Sequence, residues 1–217
     1  MQHSHSSFQA QTSSPNPYAQ GYQAITLPDH GTGFDSLRNL GQTLFIIDAE
    51  NLNYSLSQIG YKPDYAAINK RLEAVSESLQ AHVFMTSPDQ TMEAKRRYFA
   101  SVGIAPHLRA VNSILTVGQP NKHLNSDNEM LLRLGFLCGQ RRFDTVILGT
   151  GDGALGCAAA NFLAEMTKPP KVYTLSVQGS TSNQLLAGSN WLVNDNLILG
   201  ADMVRCSRTW QPVRTWH

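Results

Sequence analysis

The sequence lacks long apolar runs, carries little charge and has few cysteine residues. Charged residues make up 15% of the 217 positions and the formal net charge is +1, so a strongly basic arm cannot be the whole basis of function. Any anionic partner must therefore be bound by a local basic face. No stretch approaches the roughly 20 apolar residues that span a bilayer, and the amino terminus has no signal-peptide pattern. We expect a soluble chain without export signal or membrane anchor.

The three cysteines, Cys138, Cys157 and Cys206, are widely separated and show no C-x-x-C spacing. Any disulfide scheme leaves one of them unpaired. A reducing compartment suits this pattern best, and we predict a cytoplasmic location. For Cys138 and Cys157, the expected role is that of a small buried hydrophobe.

Composition divides the chain into three parts. Residues 1–40 are rich in Ser, Gln and Pro and lack apolar periodicity, which predicts a disordered tail. Residues 41–205 form the predicted domain, and residues 206–217 a loosely attached second tail. His3 and His5 are expected to be solvated, with weak metal binding as the minor alternative. A homodimer and a protein partner bound through the amino-terminal tail both stay open.

Within the predicted domain, short apolar runs alternate with amphipathic segments. Strands are predicted at Thr43–Asp48, Ala81–Met85, Ala105–Leu115, Asp144–Leu148 and Lys171–Leu175, with a short one near Trp191–Val193 or Leu197–Leu199. Helices are predicted after Asn51, over Asp64–Gln80, from Ser87 to about Val102, from Ser126, from Gly153 and near Ser182–Ala187. Such alternation predicts an α/β domain with a parallel sheet covered by helices on both faces.

Acidic residues follow the strands of this predicted sheet. Asp48 ends the first strand, and Asp152 lies just after the strand that ends at Leu148. Each of them, like Asp127, has an ordinary interpretation as a helix N-cap. Three carboxylates that converge at one edge would instead repel each other unless a cation offsets their charge. Oxygen-only ligands favour Mg²⁺ or Mn²⁺.

Three segments together carry a resemblance to a known family. Ile46–Leu52, then Lys122 five residues before Asp127, then Phe143–Gly153 resemble the signature segments of the NYN domain family of the PIN-like nuclease superfamily. The similarity is greatest to its bacterial LabA-like branch. It spans roughly Thr43 to Val204, and the segments occur in the family's order.

The resemblance implies a fold and an activity. The fold would be a PIN-like, Rossmannoid three-layer α/β/α domain with a mainly parallel five- to six-stranded sheet. The activity would be that of a metal-dependent ribonuclease. Carried over, Asp48, Asp127 and Asp152 would hold Mg²⁺ or Mn²⁺, and Asn51 would orient a ligand or the scissile phosphate. The ion would polarise the phosphodiester and activate a water.

Two departures from the family pattern bear on catalysis. Ala154 stands where the family usually has a second acid after Gly-Asp, and Arg133 stands near the position of another expected acid. Fewer carboxylates weaken cation binding, and an inward arginine opposes it. Glu50 or Glu129 would have to compensate. A cleavage-deficient domain that acts as a regulatory RNA-binding or protein-interaction module is therefore the main alternative.

Basic and aromatic residues fit an RNA partner. A basic cluster on a helix and two residues on nearby loops are expected to contact phosphates, although such a run also suits a solvated helix face. Tyr54 and Trp191 are candidates for stacking on bases, although aromatics beside a sheet usually pack in the core. The basic residues are Lys95, Arg96, Arg97, Arg109 and Lys122.

A competing pattern is the G-x-G-x-x-G match over Gly151–Gly156, which follows a strand and opens a helix. Three observations count against a dinucleotide site. The match lies on a late strand, Asp152 would sit beside the pyrophosphate, and Ser176–Gln178 at the end of the next strand has no acid for the ribose.

Overall fold

The computed structural model describes residues 25–110 and 126–207. Within these ranges the chain forms eight strands: β1 (Gln42–Asp48), β2 (Tyr61–Pro63), β3 (Ser78–Ser87), β4 (Ile104–Ala110), β5 (Thr145–Gly149), β6 (Lys171–Ser176), β7 (Asp195–Ile198) and β8 (Val204–Cys206). Six of them form one sheet in the order β4-β3-β1-β5-β6-β7, with parallel pairing throughout. β2 and β8 pair antiparallel as a separate ribbon.

Helices cover both faces of the sheet. They are α1 (Ala49–Ser57), α2 (Tyr65–Glu73), α3 (Asp89–Ser101), α4 (Asp127–Gln140) and α5 (Gly153–Ala164). Apolar residues of α1, α2 and α3 pack on Phe45 and Ile47, while those of α4 and α5 pack on Leu44 and Ile46. Alternate residues of a strand face opposite sides, so the continuous apolar run of β1 contributes to two cores. The predicted three-layer α/β/α architecture with a parallel sheet is confirmed.

The predicted tail boundary at residue 40 is wrong for the described residues before it. Phe34, Leu37 and Leu40 are buried in the core on the α1–α3 side, and Thr32 forms a bridge with Ile198. These three apolar residues lie in a short segment whose only helical element is the three-residue turn Phe34–Ser36, which is too short for a periodic pattern to reveal it. Residues 1–24, including the two histidines, lie outside the described part, as do residues 208–217.

One predicted helix is too long. The segment predicted as helical to Gln80 leaves the helix after Glu73, and β3 begins at Ser78. Leu79 is paired with Thr43 of β1. The four-residue step from Val75 to Leu79 imitates helical spacing, whereas pairing with β1 gives Leu79 a place in the sheet.

The helix predicted near Ser182–Ala187 is absent from the described structure, which has turns there. Leu185 is buried, and its carbonyl accepts a hydrogen bond from the side-chain amide of Asn196. The carbonyl of the same Asn196 side chain accepts the amide of Ala187. One asparagine side chain therefore replaces the backbone bonds that a helix would supply.

The helices predicted from Ser87 and Ser126, α3 and α4, begin without a side-chain cap. Pro88 rather than Ser87 precedes α3, and the Ser126 hydroxyl caps no amide of α4. Among the described residues, no helix is long and apolar enough to cross a membrane. Cys138 is buried in the core as expected, Cys157 is partly exposed, and all three cysteines are free.

Candidate functional site at the carboxyl edge of the sheet

The direction of strand addition reverses next to β1. β3 and β4 lie on one side of β1, and β5, β6 and β7 lie on the other. In open α/β sheets, ligands bind outside the carboxyl ends of the strands at such a point. Asp48 ends β1, and its neighbour Ile47 pairs with Gly149 at the end of β5. The first strand and the Gly-Thr-Gly-Asp loop therefore meet here, as expected from sequence.

Asp48 is a buried carboxylate with two internal hydrogen bonds. It is 5% exposed and caps α1, where its Oδ1 accepts the Asn51 amide at 3.1 Å. Its Oδ2 accepts the Thr150 hydroxyl at 3.2 Å. Burial raises the pKa of the Asp48 carboxyl from 3.8 to about 6, and the negative charges of Asp127 and Glu50 act in the same direction. Its negative charge is thus poorly solvated and close to two other acids.

The two acids that act on Asp48 come from different elements. Asp127 is the first residue of α4, and Glu50 lies in the first turn of α1. Glu50 Oε1 accepts the Thr86 amide at 2.7 Å and also the Thr86 hydroxyl, so it is tied to the end of β3. We call Asp48, Glu50 and Asp127 the acidic group. Glu50, considered from sequence only as a compensating residue, belongs to it.

Asp152 lies at the start of α5 and has the helix-cap role that its ordinary interpretation predicts. Its Oδ1 accepts the amides of Ala154 at 2.8 Å and Leu155 at 3.1 Å, and so caps α5. Its own amide donates to the hydroxyl oxygen of Thr150, the hydrogen-bond partner of Asp48, at 3.1 Å. The helix-cap interpretation of Asp152 is therefore confirmed.

Whether a metal ion fits this site depends on the carboxylate oxygens that the described residues bring together. In the described ranges, no group of three or more His, Cys, Asp or Glu side chains is arranged to hold a metal ion. Mg²⁺, however, usually binds through one or two carboxylates, several waters and substrate phosphates rather than in an all-protein cage. Asp48 and Asp127 supply two oxygen donors whose mutual repulsion a cation would relieve. Asp48 is thus close enough to Asp127 and Glu50 for their charges to act on it, whereas the described side chains do not form the predicted three-aspartate site.

Asn51 connects the two loops of the site. Its Oδ1 accepts the Gly151 amide at 2.7 Å, which joins α1 to the loop after β5. Gly151 is needed here, because a Cβ at this position would lie 2.8 Å from the Ser180 carbonyl oxygen and 3.2 Å from Asn51 Oδ1. Asn51 therefore positions the loop that carries Asp152.

Two of the predicted basic residues lie near the acidic group or the start of α4. Partial burial lowers the pKa of Lys95, and the negative charge of Glu50 opposes this shift. Arg109 Nη2 lies 3.4 Å from Glu129 Oε2, and both side chains are about 40% exposed. Glu129 therefore pairs with an arginine.

The other basic residues are more scattered. Arg96 is close enough to His107 to lower its pKa, after the larger effect of burial. Arg97 is 76% exposed and lies 3.9 Å from Glu93 one turn away, as on a solvated helix face. Lys122 lies outside the described residues, so its predicted role stays a prediction.

Arg133 is partly buried on α4. Its Nε is buried without a hydrogen-bond partner, and its guanidinium lies 5.2 Å from the Phe136 ring centroid. Burial, together with the smaller effects of the His107 and Arg133 charges, lowers the pKa of His82 to about 4. The charge of Arg133 thus acts on His82 and His107, and its predicted opposition to a cation stays a prediction.

Sequence reasoning missed a crevice beside this site. It has a volume of about 690 Å³, within the usual range for ligand pockets. None of the described residues that line it is charged, so we call it the uncharged crevice. Its lining residues are Ile25, Asn51, Tyr54, Ser55, Gly151, Gln178, Gly179, Ser180, Thr181, Ser182, Asn183, Leu186 and Ile198. The polar run after β6 was the available signal, because it follows a parallel strand at the same edge.

The two candidate stacking residues occupy different places. Tyr54 lines the uncharged crevice and is 69% exposed. Trp191 is 87% exposed and lies in a separate hollow beside Pro169 and Pro170. Tyr54 is therefore the only one of the two next to the predicted site.

The glycines of the G-x-G-x-x-G match have a packing explanation. A Cβ at Gly153 would lie 2.4 Å from Ser182 Oγ, and one at Gly156 would lie 2.5 Å from Leu185 Cδ2. The turn after β6 therefore packs directly on α5. The amides of Ala154 and Leu155 are already bound by Asp152, so this helix start does not resemble a pyrophosphate site.

Comparisons with known proteins bear on the fold alone. No protein-family model matches the chain, and no curated protein matches it. The fold is similar to the crystal structure of a protein of unknown function from Vibrio parahaemolyticus, with a TM-score of 0.61 and 16% identity. That likeness covers 77% of this chain and 98% of the other.

Proposed function

We propose that this chain binds RNA and hydrolyses its phosphodiester bonds with the help of Mg²⁺ or Mn²⁺. The observation that carries the proposal is the buried Asp48 carboxylate at the switch point, with its pKa raised by burial and by Asp127 and Glu50. A buried carboxylate beside two other acids is unfavourable unless it has a functional partner. The resemblance to NYN domains supports the same conclusion. We propose the cytoplasm as its location, which suits three free cysteines.

Some side chains of the site would bind the ion or the RNA phosphates, and others hold these side chains in position. Asp48 and Asp127 would hold the ion, which when bound polarises the phosphodiester and lowers the pKa of a bound water. Thr150 holds Asp48 through its hydroxyl, and Asn51 holds the loop after β5. Lys95 and Arg109 are the described basic residues best placed to contact RNA phosphates beside the acidic group.

A second candidate function is an RNA-binding module that does not cleave. The observation that favours it is the position of Asp152, whose Oδ1 is bound by two amides of α5. Ala154 adds no carboxylate at this helix start. Two carboxylates hold a cation more weakly than three, so binding without turnover is consistent with this geometry.

The test is cleavage of labelled single-stranded RNA by the full chain, with Mn²⁺ or with a chelator. We expect wild type to cleave only with metal and the Asp48→Asn variant to cleave at the rate of the chelated sample. Asp35→Asn is the matched control, because Asp35 is an exposed aspartate paired with Arg71 away from the site. Cleavage by wild type no faster than by Asp48→Asn in metal contradicts hydrolysis. Salt-sensitive RNA binding in that case supports the second candidate.

A further inference from the structure

We infer that the uncharged crevice binds a nucleoside, the base and ribose of one RNA residue, next to the acidic group. The assignment of that nucleoside to an RNA chain rests on the proposed function. The binding site itself rests on the lining of the crevice. It lies between α1 and the turn after β6, at the carboxyl edge of the sheet.

The charge of the surroundings selects a neutral ligand. No charged side chain is among the described lining residues. Two aspartates lie next to the crevice. Asp48 accepts the amide of the lining residue Asn51, and Asp152 directly follows the lining residue Gly151. Among the described residues no cation is paired with this position, so an anion in the crevice would meet negative charge, which is unfavourable. The described lining therefore favours a neutral group over a phosphate.

The polarity of the lining fits a ligand with many hydrogen-bonding groups. Amide and hydroxyl side chains surround the opening, and backbone groups of the turn at Gly179 add donors and acceptors. Ile25, Leu186 and Ile198 provide apolar surface in the same crevice. A nucleoside offers this combination, because its base has polar edges and apolar faces and its ribose has hydroxyl groups.

Tyr54 distinguishes a base from a simple sugar or amide. Its side chain lines the crevice while 69% of its surface is exposed to solvent. Exposed aromatic rings are the usual platforms on which proteins stack unpaired bases. Tyr54 lies three residues after Asn51, which is bonded to the loop beside the acidic group. A strand of RNA with its base on Tyr54 would place its backbone toward Asp48.

The test is NMR titration of the isotope-labelled full chain with adenosine, guanosine, cytidine and uridine, without divalent cations. We expect at least one nucleoside to shift the amides of Asn51, Gly151 and residues 178–183. Ribose and inorganic phosphate should leave these amides unshifted. Tyr54→Ala should weaken nucleoside binding roughly 5- to 100-fold, the effect of losing one base stack. Trp191→Ala removes an equally exposed ring from another hollow and should leave binding unchanged.

Several results overturn the inference. They are shifts outside the crevice, no shift with any of the four nucleosides, an equal response to ribose, or equal affinity for Tyr54→Ala and wild type. Spectra of the variants without ligand verify that each is folded. Asp48→Asn should retain nucleoside binding. Nucleoside binding by wild type without metal-dependent RNA cleavage removes only the proposed hydrolysis. Cleavage by wild type without nucleoside binding removes only this inference.

Discussion

On one side of Asn51 the carboxyl edge of the sheet is acidic, and on the other side the described residues that line the crevice are uncharged. The acidic group combines a buried carboxylate with two neighbouring acids from α1 and α4. The uncharged crevice combines amides, hydroxyls and apolar side chains. The backbone there is held by the bond between Asn51 and Gly151. One asparagine thus separates two surfaces that suit chemically different parts of a ligand.

The contrast has a physical meaning for a nucleotide chain. A phosphodiester group is anionic and needs basic residues or a cation beside the acids, whereas a base is neutral and needs stacking and hydrogen bonds. The acidic group alone would repel RNA, and the crevice alone would bind it without acting on its backbone. Variants that change either the acidic group or the uncharged crevice, and leave the other intact, therefore test the comparison.

The largest expected effect concerns Asp48 and stability. Its folded-state pKa lies about two units above 3.8, so the folded chain binds a proton that the unfolded chain has released, and stability falls as pH rises between these values. Asp48→Asn should raise the free energy of unfolding at neutral pH by up to about 3 kcal/mol while abolishing cleavage. Below the ordinary aspartate pKa the gain should vanish. Denaturant unfolding at both pH values measures it.

Asp64→Asn is the control of opposite sign. Arg205 donates two hydrogen bonds to Asp64 and lowers the pKa of its carboxyl, so this charge stabilises the fold above the unfolded-state pKa. The Asp64→Asn variant should lose stability at neutral pH and approach wild type in acid. A stability gain for Asp48→Asn that is the same at both pH values would contradict the raised pKa.

Gly151→Ala should disturb the Asn51–Gly151 contact that lies between the acidic group and the uncharged crevice. The added Cβ would lie too close to the Ser180 carbonyl oxygen and to Asn51 Oδ1. Overpacking of this kind costs about 1–3 kcal/mol of stability, and the crevice should lose nucleoside affinity with it. Gly139→Ala is the matched control, because a Cβ there meets nothing within 4 Å and the residue lies in α4. It should be neutral or stabilising by up to about 1 kcal/mol. Equal thermal shifts for the two variants would contradict the close approach.

Thr150→Val should change the acidic group and leave the uncharged crevice unchanged. The hydroxyl donates to Asp48 Oδ2 and accepts from the Asp152 amide. Its removal should raise the Asp48 pKa further, because a donor that favours the charged carboxylate is lost. The unpaired amide should cost about 1–3 kcal/mol of stability. The rising limb of the cleavage rate against pH should move to higher pH, with nucleoside binding unchanged. An unmoved limb would contradict the role of Thr150.

The smallest expected effect is a difference in the salt dependence of RNA affinity between a variant beside the acidic group and a variant in the uncharged crevice. Arg109→Gln should reduce the slope of log affinity for single-stranded RNA against log salt by about 0.7, the loss of one phosphate contact. Tyr54→Ala should lower affinity at every salt concentration without a change of slope. Filter binding over a salt series measures both. A changed slope for Tyr54→Ala, or an unchanged one for Arg109→Gln, would contradict this division.

The sheet was predictable from sequence because its strands are short apolar runs that alternate with helices. Leu44 to Ile47 are buried whichever face they point to, so the run itself reveals a central strand. Phe34, Leu37 and Leu40 were not found, because the short segment that carries them is not long enough to give a helix or strand pattern. Leu79 was misassigned because its spacing from Val75 fits a helix as well as a strand.

The site was predictable in position and only partly in composition. Asp48, Asn51 and the loop after β5 meet because parallel strands end at one edge. The helix-cap role of Asp152 depends on which amides its carboxylate reaches, and sequence spacing permits either role. The crevice escaped detection because Tyr54 and the turn after β6 lie more than 120 residues apart in the sequence and become neighbours only in the fold.

The most direct test of the account is an NMR titration of the Asp48 side-chain carboxyl, with and without Mg²⁺, in the full chain. We predict a midpoint near pH 6 in the absence of the ion, from burial and from the charges of Asp127 and Glu50. Mg²⁺ should move the midpoint to lower pH in wild type and much less in Asp127→Asn, because a bound cation favours the carboxylate. A midpoint at the ordinary aspartate value, or one that Mg²⁺ does not move, would contradict a cation site at the acidic group.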